Sequence, residues 1–244
     1  MPRSIRAGRF RLRDFYESNA GALWQHSGMP QVHAVIHTGG VTMAGQLLQQ
    51  IVEAGIRRIT VVLGPQGSSV RARLLRLMTM LPPLELEFFD ELEAPGDVGV
   101  LAEIDTGHDE VLLCFADPAA ELDLSRLMAI HRERRYDVTL ASHYEHHQLA
   151  PGELRVDGDT VHGYEERPRK DFLICSGIAM LDARAMAVAR ALPRTYGVAE
   201  LLRALLEGDC RVTHWLHGTR WIVNEDAERA VHEYAEPIIR RQAG

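Results

Sequence analysis

The sequence predicts an α/β domain with a mixed, mostly parallel sheet flanked by helices. Three observations carry that expectation. The apolar runs at 59–63 (ITVVL) and 111–115 (VLLCF) are short and bounded by polar residues, as strands buried on both faces are. Turns and helix-spaced stretches separate them in the strand, turn, helix, strand rhythm of a parallel sheet. The 244 residues hold 46% hydrophobic and 25% charged residues, which are values of a globular chain.

Taken in order, residues 4–15 (SIRAGRFRLRDF) concentrate arginines around Ala7-Gly8 in a pattern that no simple amphipathic element explains. A phosphate-facing loop and a solvated basic arm account for them equally well. VHAVIH (32–37) is strand-like, Gly39-Gly40 breaks it, and 43–54 has helical spacing that stops at Gly55, a C′ glycine. After the strand at 59–63, Gly64-Pro65-Gln66-Gly67 turns the chain into a helix at 69–80. LELEFF (84–89) is the next strand, and a short helix is expected from Gly96 to Ile104.

Asp117 stands just past the strand at 111–115, where open α/β sheets bind ligands, although Asp117-Pro118 also reads as ordinary turn punctuation. A helix through Arg135 and a strand at 138–141 follow. The group His143, His146, His147 and His162 raises a metal site or a polar pocket rim; on a strand His143 and His147 share a face that His146 opposes. A hairpin turning at Asp157-Gly158-Asp159 is expected next, then a strand at 172–181. Helices at 183–191 and 198–206, a strand at 211–216 and a terminal helix from Asp226 complete the chain.

The net charge of −7 disfavours nucleic-acid binding, and no apolar run reaches the roughly 18–20 residues of a membrane helix. The three cysteines, Cys114, Cys175 and Cys210, form no CxxC pair. Cys114 and Cys175 lie in apolar runs and read as buried thiols, which fits a reducing cytoplasm. The arginine-rich start has no apolar segment after it and does not read as a secretory signal.

The ordered motifs resemble the sugar-1-phosphate nucleotidyltransferases. The family's strand ending in Asp, followed by Asp-Leu and a helix closing on His-Arg, is similar to FADPAAELDLSRLMAIHRER from Phe115. Its Phe-x-Glu-Lys-Pro motif is similar to Tyr164-Glu165-Glu166-Arg167-Pro168, and its Ala-Gly-Ile-Tyr strand to Ser176-Gly177-Ile178-Ala179. Gly96-Asp97-Val98-Gly99 resembles its Gly-Thr-Ala-Gly turn, and Ala7 to Leu12 its glycine-rich triphosphate loop.

The resemblance implies a Rossmann-like, GT-A-like fold in a single domain over 1–244, with a nucleotide-binding half at about 1–141 and a sugar-phosphate half at about 142–244. It implies transfer of NMP from an NTP to a sugar 1-phosphate, with Arg11 and Asp117 catalytic and Asp117 holding Mg2+. Gly8, Gly96, Glu166, Arg167 and Gly177 would bind substrates. Three positions depart from the family. Its Pro-Lys pair is Pro30-Gln31, its Gly-Gly-Lys-Pro-Met is Gly39-Gly40-Val41-Thr42-Met43, and its Trp-x-Asp is Trp221-Ile222-Val223. The same residues therefore also describe an inactive paralogue that binds nucleotide sugar, or one that pairs with an active homologue; a homo-oligomer is likewise left open.

Overall fold

The computed structural model describes residues 9–11, 32–38, 41–64, 67–90, 98–104, 106, 110–114 and 122–218. Strands β1 (Arg9–Arg11), β2 (Val32–Thr38), β3 (Arg58–Leu63), β4 (Glu85–Asp90), β5 (Glu110–Cys114), β6 (Val138–Gln148), β9 (Arg169–Leu181) and β10 (Val212–Leu216) form one sheet in the order β1-β4-β3-β2-β5-β9-β6-β10. Strands β4, β3, β2 and β5 pair in parallel, and so do β6 and β10. Strand β9 runs antiparallel between β5 and β6. The mixed, mainly parallel sheet flanked by helices is the expected architecture.

The apolar alternation decides which side each helix covers. Ala34, Ile36, Val61, Leu86, Phe88, Leu112 and Cys114 face one layer, where α1 (Val41–Glu53), α2 (Gly67–Met78) and α3 (Leu124–Arg134) pack Leu48, Ile51, Leu74 and Leu127 against them. Val35, Val62, Val111, Leu113 and Leu181 face the other. There the 3₁₀ turn Gly99–Ala102, α4 (Ala183–Ala191) and α5 (Val198–Glu207) supply Leu101, Met186, Leu201 and Leu205. Period-2 side chains that are apolar on both faces bury a sheet on both sides.

Helix starts follow local chemistry. The Asp123 carboxylate accepts from the Arg126 N–H at 2.9 Å and caps α3, and Asp182 accepts from the Ala185 N–H at 2.9 Å and caps α4. Glu200 accepts from the Gly197 N–H at 3.0 Å at the start of α5. Helix α1 ends as the sequence indicates, with the Gly55 N–H on the Val52 carbonyl and the Ile56 N–H on that of Ile51. The expected helix from Gly96 to Ile104 is shorter than anticipated, with only Gly99–Ala102 as a 3₁₀ turn among the described residues. A Cβ on Gly99 would come within 2.2 Å of the Arg194 carbonyl oxygen, so close backbone approach explains this glycine.

Two strands are longer than predicted. Beyond Ala141, β6 continues to Gln148, paired with the amino-terminal part of β9 from His143↔Ile174 to Gln148↔Arg169. Period 2 persists there without apolar content, because this ribbon projects past the sheet. The expected hairpin, β7 (Glu153–Asp157) and β8 (Thr160–Glu165), forms a separate two-stranded sheet. The terminal helix expected from Asp226 lies outside the described residues.

Asp137, buried at the start of β6, ties three corners together. Its carboxylate accepts from the Arg211 backbone N–H at 2.6 Å, and the guanidiniums of Arg211 and Arg184 stand 3.6 and 3.7 Å away. The backbone hydrogen bond from Arg211 leads the effects that outweigh burial and hold its carboxyl below the ordinary value. A carboxylate depressed in the folded state contributes stability above its unfolded pKa and loses it as pH falls through the folded value. Asp137→Ala is expected to lower unfolding free energy by about 2 kcal/mol at pH 7. In urea melts the gap to wild type should close below about pH 4.

Cys114 is buried and free, and burial pushes its thiol up to about 12. Cys210 is also buried, whereas Cys175 is exposed, contrary to the sequence expectation. Iodoacetamide is therefore expected to label Cys175 alone in the native protein and all three thiols in denaturant, as read by peptide mass spectrometry.

Candidate functional site

Parallel strands present their carboxyl ends to a common edge, and ligands bind where the strand order reverses. The chain lays β3 and then β4 on one side of β2, then returns to place β5 on the other. The reversal falls between β2 and β5, which pair directly with Ile36 opposite Cys114. Gly39-Gly40 links the end of β2 to α1, and Asp117 lies three residues beyond the end of β5. Both stretches are outside the described residues. At the end of β4 the Asp90 carboxylate is already taken, because Arg71 Nη2 donates to both of its oxygens at 2.7 Å.

On the other flank of β5 the same edge carries a buried polar chain. The β6–β9 pairing shifts register between Leu140 and Ser142, and the neighbouring Gly177 has φ of 72°. Ser176 lies two residues before Ile178, which pairs with Cys114, the last described residue of β5. Its hydroxyl lies 2.8 Å from His143 Nδ1 and 2.7 Å from Nε2 of His217, the residue after β10. His143, Ser176 and His217 are all buried. His143 Nε2 is 3.2 Å from Glu145 Oε1, and His147 Nε2 is 3.0 Å from Glu145 Oε2. On the opposite face of β6, Ser142 Oγ meets His214 Nδ1 at 2.8 Å.

Electrostatics follow from these contacts. Burial pushes the Glu145 carboxyl up, but hydrogen bonds from His147 and His143 outweigh it and leave the group below its ordinary value. Burial, and then the neighbouring His143, hold His217 below the usual imidazole value. His143 and His147 share one face of β6 through Glu145, while His146 lies on the other face and meets Asp171 Oδ1 at 2.5 Å. No group of three or more His, Cys, Asp or Glu side chains is arranged to hold a metal ion among the described residues. Asp90 and Glu145 are engaged by Arg71 and by the histidines.

The residues singled out by sequence do not all converge. Arg11 belongs to β1, the outermost strand, antiparallel to β4 with Arg11 opposite Glu87. Four strand spacings separate β1 from β5, about 19 Å, so Arg11 stands apart from the reversal point. The loop after the first central strand is instead the one containing Gly39-Gly40. Gly8, Gly96 and Asp117 lie outside the described residues.

Glu166 and Arg167 are exposed in the turn joining β8 to β9, where Arg167 has φ of 49° and the Tyr164 hydroxyl donates to Glu166. From Arg169 to Gly177 the strand runs for about 26 Å, so Gly177 is not their immediate neighbour. Sequence reasoning passed over Ser176 and His217 as members of a network, because their partners are 33 and 41 residues apart.

Solved structures similar to this chain share its topology. HddC from Yersinia pseudotuberculosis, complexed with GMP-PN, aligns with a TM-score of 0.57 at 14% identity, covering 84% of this chain and 100% of that one. A second HddC structure gives 0.57 at 15% over the same shares. A putative glucose-1-phosphate thymidylyltransferase from Bacillus anthracis, in complex with a sucrose, gives 0.57 at 12%, covering 78% of this chain and 88% of that one. The likeness is one of fold. No family model and no curated protein matches the sequence. No helix among the described residues is long and apolar enough to cross a membrane.

Proposed function

We propose that the chain is a sugar-phosphate nucleotidyltransferase-like protein that transfers NMP from an NTP to a sugar 1-phosphate. The observation that carries this reading is the reversal of strand order between β2 and β5, with Gly39-Gly40 following one strand and Asp117 the other. The name of one solved structure of similar fold, a putative glucose-1-phosphate thymidylyltransferase, supports it, as does the GMP-PN held by another. Fold alone hosts many functions, so the argument rests on the site.

In the reaction, a phosphate oxygen of the acceptor attacks the α-phosphorus. A new P–O bond forms, the bond to the bridging oxygen breaks, and pyrophosphate leaves with that electron pair. The protein's part is to align these groups and to offset their charge. Backbone amides around Gly39-Gly40 would hold the triphosphate, the role first given to Gly8 and Arg11, with Gly96 on the nucleotide side. Glu166, Arg167 and Gly177 would serve the acceptor side. Asp117 would hold magnesium, which neutralises phosphate charge when bound and needs only one or two protein carboxylates. The two halves, about 1–141 and 142–244, divide nucleotide from acceptor within one domain. A cytoplasmic setting accords with free thiols, and assembly as a homo-oligomer or with an active homologue belongs to the same proposal.

The test is pyrophosphate release from the purified protein given each NTP, a panel of sugar 1-phosphates and magnesium. Turnover with at least one pair supports the enzyme. Binding of an NDP-sugar without turnover from any pair favours the second reading, an inactive paralogue, which Gln31 and Val223 recommend because each replaces a charged group of the family pattern. Neither turnover nor binding would sink both.

A further inference from the structure

The hairpin β7–β8 has one polar and one apolar face. On β7, Glu153, Arg155 and Asp157 alternate with Leu154 and Val156. Cross-strand partners share a face, so Leu154 sits beside Tyr164 and Val156 beside Val161. The register shift between Arg155 and Val156 gives β8 one extra residue, which is why Val161 and Tyr164 lie on one face despite their odd spacing. The polar face is satisfied by its own neighbours. Arg155 Nη2 donates to Glu165 Oε2 at 3.0 Å, and Lys170 of β9 donates to both oxygens of Glu153 at 2.7 and 2.5 Å. On the apolar face, Leu154, Val156, Val161 and Tyr164 are each between 53% and 61% exposed. A Cβ on Gly152 would come within 2.3 Å of the Tyr164 ring, and the Tyr164 hydroxyl donates to Glu166, so the ring is held across the base of the hairpin. A two-stranded sheet alone is marginally stable in water, and this one leaves its whole apolar face open.

We propose that this face is an interface between two copies of the chain, packed hairpin on hairpin about a two-fold axis, with the turn of each over the base of the other. Area favours a second copy. At roughly 200 Å² for a fully exposed large apolar side chain, the four residues present about 400 Å². A standard interface buries about 800 Å² per partner, a little over half of it apolar, so the patch supplies the centre and the charged ends of the hairpin supply the rim. Two marginal sheets then become one four-stranded sandwich with its apolar side chains between the layers. The fixed Tyr164 ring loses little freedom in the process.

Charge selects the same arrangement. Asp157 and Asp159 stand at the turn and Arg167 at the base, all three exposed and without an ion pair among the described residues. The other acids at the base are engaged, Glu153 by Lys170, Glu165 by Arg155 and Glu166 by the Tyr164 hydroxyl. At about 3.3 Å per residue, Asp159 and Arg167 lie about 13 Å to either side of the centre of the patch. A two-fold axis through that centre sets the acidic turn of one copy against the Arg167 end of the other, twice. This self-matching is what an isologous contact requires and what a different protein does not. The two aspartates also set the turn against an anionic lipid surface. The inference concerns assembly alone, so it stands apart from nucleotidyl transfer, and its readout is mass and not turnover.

The experiment is sedimentation of the full chain over about 1 to 100 μM, where a reversible dimer is expected. Val156→Thr with Val161→Thr keeps side-chain shape and strand preference while placing two hydroxyls in the contact, and should raise the dissociation constant about 10-fold or more. Asp159→Arg and Arg167→Asp should each weaken the dimer, and the two together should restore it, because the exchanged charges meet again across the two-fold axis. Far-UV circular dichroism of every variant should match wild type, since all four positions are exposed. A chain that stays monomeric throughout, or a dimer that survives the threonine pair, overturns the proposal. So do single charge reversals without effect, or a double exchange that leaves the dimer as weak as the single reversals do, and these hold whether or not the threonine variant folds.

Discussion

Replacing Asp117 with alanine is expected to lower the rate of pyrophosphate release by about 10²- to 10³-fold, the loss that follows removal of one preorganised charge contact worth roughly 3–4 kcal/mol in the transition state. The size follows from isolation. Where a family member has a second carboxylate in its Trp-x-Asp segment, this chain has Val223, so no residue at that position can take over the cation. Asp117→Asn should do little better than alanine, because an amide keeps the shape and loses the charge. The loss should fall on kcat/KM with NTP saturation shifted to higher magnesium, whereas nucleotide affinity without metal should change little. Binding and turnover unchanged in Asp117→Ala would remove Asp117 from the site.

The fold was legible because its signals are local. ITVVL at 59–63 and VLLCF at 111–115 are short, apolar and turn-bounded, and they became β3 and β5, the latter shifted by one residue. Helix α4 matches its predicted span because Asp182 announces the cap. What escaped the sequence is non-local. The alternation of β6 past Ala141 is written in His, Glu and Tyr, which carry no burial signal, and only the antiparallel entry of β9 makes that stretch a strand. Arg9 to Arg11 read equally as part of a phosphate-facing loop or of a solvated basic arm, since charge alone fits both. Its pairing with β4 at the outer edge is a matter of register, which no composition reveals. The site divides the same way. Asp117 and Gly39-Gly40 can be found beside a strand end, while His143, Ser176 and His217 belong together only after three strands have been ordered.

The second large effect is on stability. Phe88→Ala is expected to cost about 3–5 kcal/mol in urea-induced unfolding at pH 7. Phe88 is completely buried in β4 and belongs to the layer under α1 and α2 that includes Leu48, Leu74 and Leu86. The Arg71 guanidinium lies 5.3 Å from its ring centroid, and the same arginine clamps Asp90 at the end of the strand. Removing the ring leaves a cavity between two helices and an edge-proximal strand, and it strips the face against which Arg71 is oriented. The cost should therefore exceed that of the lost area alone. Phe88→Leu fills most of the space and keeps an apolar surface, so its cost should fall to roughly 1.5 kcal/mol. A double replacement with Arg71→Ala would separate the two contributions. Sub-additive costs mean that the arginine and ring stabilise the strand jointly, whereas simple addition would assign the whole effect of Phe88 to packing.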